Sequence, residues 1–185
     1  MPGRRNQPEN PTIYTFTGWF QDSMYLMPPS DAANQTPLYR ICVELDLNPF
    51  LPVSYVTKII RISLNNKRAV LRMGDTATRL TNVLYSVNSS PKHFNWILAH
   101  RLHWDCREIL EDGSPLCICY LPLSNQTSQP SSSAPQSIKI AVLIPPPPDR
   151  SPPHPDATLT VYPLGHQIMD EILVSALVVE RMLTR

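Results

Sequence analysis

The sequence predicts a mainly β protein: a closed antiparallel β-barrel enclosing a hydrophobic C-terminal α-helix. Three observations carry this. Apolar residues alternate with period two through most of the chain, as half-buried strands require. Turn-forming residues recur at about 8–12-residue spacing, the mark of a sandwich or barrel. The chain then ends in MDEILVSALVVERMLTR (169–185). There an aliphatic run from Ile172 to Val179 is polar only at Ser175. A helix apolar on all sides is normally buried on all sides, and the inside of a closed barrel is an economical place for it. A helix docked on a partner chain is the alternative.

The elements follow in order. Residues 1–11 are polar and proline-broken and read as a disordered tail ahead of one domain, 12–185. Thr12 to Thr17 is β-rich and alternating. In Leu38 to Asp46, Tyr39, Ile41, Val43 and Leu45 share a face opposite Arg40, Cys42, Glu44 and Asp46. NPFLP (48–52) breaks the chain. Val56 to Leu64 is a Val/Ile/Thr-rich strand, and Asn65-Asn66 supplies a turn because asparagine tolerates positive φ. Residues 69–73 and 79–87 alternate again. Phe94 to Leu110 fits either strands or a helix. Strands are favoured, because Asp112-Gly113 then makes a hairpin turn into Leu116, Ile118 and Tyr120. IKIAVLI (138–144) and Ala157 to Val161 complete roughly nine to eleven strands. Low-complexity loops occupy 124–137 and 145–156, the second a polyproline II stretch. The helix spans about 166–184, with acids (Asp170, Glu171) at its start and bases (Arg181, Arg185) at its end, as the helix dipole favours. Its expected core positions are Ile168, Ile172, Leu173, Ala176, Leu177 and Val179.

Composition narrows the function. The chain has 185 residues, 42% hydrophobic and 17% charged, with 21 prolines against 5 glycines. That pairing suits irregular loops better than a glycine-turn enzyme core. A net charge of +1 provides no field for nucleic acid. The N-terminus shows no apolar secretory stretch. The eight residues 172–179 fall far short of the roughly 20 needed to span a bilayer, so no transmembrane segment is expected. Cys42, Cys106, Cys117 and Cys119 contain no CxxC pair and are expected to be free thiols in a reducing, intracellular and cytoplasmic setting. No cofactor motif, glycine phosphate loop, Gly-x-Ser-x-Gly elbow or His-Glu-x-x-His is present, and the chain reads as non-enzymatic.

The main functional signal is charge. Lys58, Arg61, Lys67, Arg68, Arg72 and Arg79 face a single acid, Asp75, within 22 residues. Several cationic donors on a rigid strand–turn–strand suit an anionic headgroup or membrane surface. A solvated outer face with edge-protecting lysines is the plainer reading. Pro145 to Arg150 matches a PxxPxR ligand for SH3-type grooves, although a plain spacer fits as well; a protein-interaction module using this proline-rich loop or an exposed sheet edge is the alternative function. His100 and His103, near Asp105 and Glu108, could share a metal only on a helix, since i and i+3 diverge on a strand. Cys106 beside Arg107 is the one cysteine in a cationic setting, with barrel packing as the simpler role.

Four segments carry a resemblance. ATLTVYPLGHQIMDEILVSALVVERM (157–182), TPLYRICVE (36–44), HFNW (93–96) and EILEDGSPLCICY (108–120) are similar to strands, a hairpin and the closing helix of a fungal, mainly basidiomycete, family of unknown function. That family is grouped with the tubby C-terminal-like barrels, beside phospholipid scramblases and plant LURP-one-related proteins. The resemblance implies a closed antiparallel barrel around a hydrophobic C-terminal helix and, from the tubby type, binding of phosphoinositides. SSPKHFNW stands where the family has a glycine-aspartate-glycine turn, and the two low-complexity loops look like insertions. The scramblase analogy carries little for activity, because no calcium loop or palmitoylatable cysteine run is present.

Overall fold

A computed structural model describes residues 9–46, 54–61, 84–123, 137–147 and 156–183, with 43–46 and 54–61 described by backbone only. Among these residues the protein is mainly β, with antiparallel pairing and one C-terminal α-helix. The expected strand at 69–73, residues 79–83 of the strand expected over 79–87, most of both low-complexity loops and residues 1–8 of the N-terminal tail lie outside the described residues.

The chain divides into two compact units. The smaller holds residues 13–77 and 156–158. It carries β1 (Thr12–Phe16), β2 (Ser23–Met27), β3 (Tyr39–Asp46) and β4 (Ser54–Arg61), in the spatial order β4-β3-β2-β1. Alternation decides the inner face: Tyr14 and Phe16 of β1 and Met24 and Leu26 of β2 are buried. In β3, Tyr39 and Ile41 are buried as their spacing predicts. Cys42 on the opposite parity is buried as well, and the Ser23 hydroxyl donates to its sulfur at 3.6 Å. The β1–β2 hairpin turns at Gln21-Asp22, where Gln21 takes φ +56°, and leaves Trp19 and Phe20 54% and 75% exposed.

The larger unit holds residues 1–12, 78–155 and 159–185. Its strands are β5 (Leu84–Ser86), β6 (His93–Ile97), β7 (Arg101–Ile109), β8 (Pro115–Pro122), β9 (Ser137–Ile144) and β10 (Thr158–Val161), ordered β10-β9-β8-β7-β6-β5. The 94–110 segment is therefore two strands. Phe94 and Trp96 of β6, Leu102, Trp104 and Cys106 of β7, and Cys117 and Cys119 of β8 form the inner face. The β7–β8 turn depends on Gly113 at φ +91°, which an L side chain resists. Asp112 accepts the Ser114 backbone N–H at 2.9 Å and holds that turn. In β9, Ile140 to Leu143 are buried at both parities, so both faces of this strand are covered. Among the described residues, no hydrogen-bonded pairing joins the outer strands of either unit into a ring.

The tail begins as a 3-10 turn, Pro163–Ile168, and continues as α1 (Met169–Leu183). Proline at the first position fits, because its missing N–H is an orphan there anyway. Gly165 sits so close to β9 that a Cβ would strike the Ile140 carbonyl and crowd Val161 and Ile172. Four expected core positions, Ile172, Leu173, Ala176 and Val179, are fully buried. Ile168 and Leu177 are only half-buried. The helix is thus not buried equally all round. Residues at i, i+1, i+4 and i+7 form one stripe that faces the core, while Leu177 lies off it and Ile168 belongs to the 3-10 turn.

Candidate functional site

Of the basic cluster, Lys58 and Arg61 lie on β4, opposite Cys42 and Tyr39 in register. Lys67, Arg68, Arg72 and Arg79 lie outside the described residues.

Inside the larger unit, two tryptophans of the sheet meet the helix. Trp96 of β6 donates its indole N–H to Glu171 Oε1 at 3.0 Å. The same carboxylate accepts the His100 backbone N–H at 3.1 Å and the His100 Nδ1–H at 2.6 Å. Glu171 is 6% exposed, and a buried carboxylate with no such donors would cost several kcal/mol. One turn on, Trp104 of β7 donates to the Ser175 hydroxyl at 3.1 Å, which itself donates to the Ile172 carbonyl at 3.0 Å. These contacts fix the helix's rotation as well as its depth.

Three buried thiols share this interior. Cys106 is hydrogen-bonded with Cys117; that bond, with burial, pushes the Cys106 thiol far up. Burial, with Glu171 nearby, does the same to Cys119. A thiol held protonated and out of solvent is a poor nucleophile, so Cys106 is a packing residue despite its neighbour Arg107. All four cysteines are free and buried.

The outer face of β6, β7 and β8 is polar. Strand register sets Asn95 opposite His103, His103 opposite Tyr120, and His93 opposite Asp105. His103 Nδ1 lies 2.8 Å from Asn95 Oδ1, and its Nε2 faces His93 Nε2 at 2.5 Å. Burial, then the neighbouring His93, lowers the His103 pKa. Asp105 accepts from Arg107 Nε at 2.8 Å and from its terminal nitrogen at 2.6 Å, which holds the carboxyl below its usual range. Asp105, Arg107, Glu108, Ile118 and Tyr120 line an open depression of about 460 Å³ beside this row.

His100 and His103 do not converge: one turns to Glu171, the other to Asn95 and His93. Among the described residues, no three or more His, Cys, Asp or Glu side chains are grouped to hold a metal. Nothing local in the sequence marks His93, because its partner lies ten positions away across a hairpin. The i, i+10 pairing appears only once the β6–β7 register is known. The helix dipole by itself accounts for an acid at Glu171; its burial depends on a tryptophan 75 positions upstream.

At the proline stretch, Pro145 and Pro147 are buried, and Pro147 packs against the Gly113 turn. An SH3-type groove needs those rings free. The start of the motif is therefore held by its own sheet, while Pro148, Asp149 and Arg150 lie outside the described residues. No helix among the described residues is long and apolar enough to cross a membrane. No family model matches the chain, and neither a curated protein nor a solved structure matches it. The tubby-like resemblance accordingly rests on its sequence segments.

Proposed function

We propose that this protein is a non-enzymatic module that binds anionic phospholipid headgroups peripherally through the basic 58–79 segment. The observation that carries the reading is the six bases set against one acid in that stretch of an otherwise nearly neutral chain. Each Lys or Arg near an anionic leaflet contributes about 1 kcal/mol. The exposed Trp19 and Phe20 support it: they belong to the same compact unit as Lys58 and Arg61, and aromatic rings favour the membrane–water interface. Four free, buried thiols support an intracellular, cytoplasmic setting, where the anionic leaflet lies.

Flotation with phosphoinositide-containing liposomes tests the reading. The wild type is expected to float, and Lys67→Ala/Arg68→Ala/Arg72→Ala to remain in the load fraction. An unbound wild type, or an unaffected triple variant, overturns it. Binding that disappears at moderate salt whatever the headgroup would indicate general charge attraction.

The same reading includes a closed antiparallel barrel enclosing the helix, as the tubby-like resemblance implies. The fully buried stripe Ile172, Leu173, Ala176 and Val179 supports it. Closure predicts slow amide exchange along β4 and β5. Exchange there at the rate of unpaired chain speaks against it.

A further inference from the structure

We propose that His93 and His103 form a binding site for a borderline transition-metal ion (zinc, copper(II) or nickel(II)) on the outer face of the β6–β7–β8 sheet. The two Nε2 atoms face each other at 2.5 Å, with ring centroids 4.3 Å apart and the rings nearly perpendicular. Both rings are only half-buried, so an ion can reach them from solvent.

The tautomer is set for ligation. Asn95 Oδ1 is an acceptor only, so the proton of neutral His103 sits on Nδ1 and the lone pair on Nε2. A ligating imidazole typically has this arrangement, its far N–H held by an oxygen that orients the ring. Without a metal, a single N–H of His93 bridges the two rings. With one, His93 changes tautomer: Nε2 gives its proton to water while Nδ1 takes one from water, so the ring stays neutral and both Nε2 lone pairs turn to the ion.

The geometry lies within a small ring movement. Zinc–nitrogen bonds of about 2.0–2.1 Å at tetrahedral angles set ligand nitrogens roughly 3.3 Å apart. The pair must therefore open by about 0.8 Å, which ring rotation provides. Imidazole suits these three ions better than magnesium or calcium, which prefer oxygen. Asp105, opposite His93, is already held by Arg107 and contributes negative charge rather than a bond. Water completes the coordination. Burial, then the neighbouring His93, lowers the His103 pKa, which favours the neutral ring that binds metal.

The test is calorimetric titration of the full chain with zinc chloride and, separately, nickel chloride at neutral pH. One saturable equivalent is expected. His93→Ala and His103→Ala should each weaken binding at least about tenfold, and Asn95→Ala, which removes only the orienting oxygen, about tenfold. Imidazole nitrogen NMR on the wild type adds a readout independent of any variant: zinc should shift both His93 and His103 resonances. No saturable binding, binding retained in the His93→Ala/His103→Ala double variant, or a shift confined to one ring overturns the proposal.

Discussion

Glu171 accepts the indole N–H of Trp96 at 3.0 Å, and this bond ties the first turn of α1 to β6 across 75 residues of sequence. Trp96→Phe removes one of the donors that compensate a buried carboxylate while keeping an aromatic ring in place. The expected loss is about 1–3 kcal/mol, read as a lower urea midpoint with unchanged slope. A variant as stable as wild type would mean that the carboxylate finds water there instead.

Trp104 and Ser175 make the second tie, a single hydrogen bond in a fully buried setting. Ser175→Ala strands the Trp104 N–H and should cost about 1–3 kcal/mol. Trp104→Phe/Ser175→Ala should cost less than the two single losses added, since the double variant leaves no orphaned donor. A double-mutant cycle measures that difference, and strict additivity would remove the bond from the account of helix docking.

Gly165 is demanded by proximity and not by backbone conformation. Gly165→Ala drives a methyl into the Ile140 carbonyl, an atom that cannot swing aside. Such overpacking costs about 1–3 kcal/mol, and the melting temperature should fall accordingly. An unchanged melt would show that the 3-10 turn can lift away from β9 freely.

Stability should also depend on pH through His103. Its pKa is lowered in the fold, chiefly by burial and then by His93, so the fold prefers the neutral ring. The associated stability is full above the ordinary histidine pKa of about 6.5 and is lost as pH falls from there through the folded value. His166, lowered mainly by burial, acts in the same direction. Glu180, raised by burial, acts oppositely, its share growing as pH falls. The difference between wild type and His103→Gln isolates the ring. It should shrink as pH is taken from about 7.5 to 5.5; a constant difference in melting temperature would assign no titration to His103.

Much of the strand pattern was legible because alternation is a local property. Tyr39 and Ile41, or Leu102, Trp104 and Cys106, announce an inner face from spacing alone. Strand β2 carries no such local signal: Ser23 to Met27 is short and lies between loops, and it becomes a strand by pairing with β1 and β3. The helix was legible from its composition, its rotation was not. An all-apolar wheel offers no preferred side, so Leu177 looked as central as Ala176 until the sheet chose between them.

By itself the sequence determined a β-rich chain, a buried terminal helix, free cysteines and a concentrated basic stretch. Each follows from neighbours in the chain, through period, composition or charge. The tertiary structure alone decided that Glu171 is an acceptor inside the core, that Ser175 serves Trp104, that Cys106 is shielded, and that His93 meets His103. Those roles depend on strand register and helix rotation, which set which distant side chains share a few ångströms of space and carry no local signature.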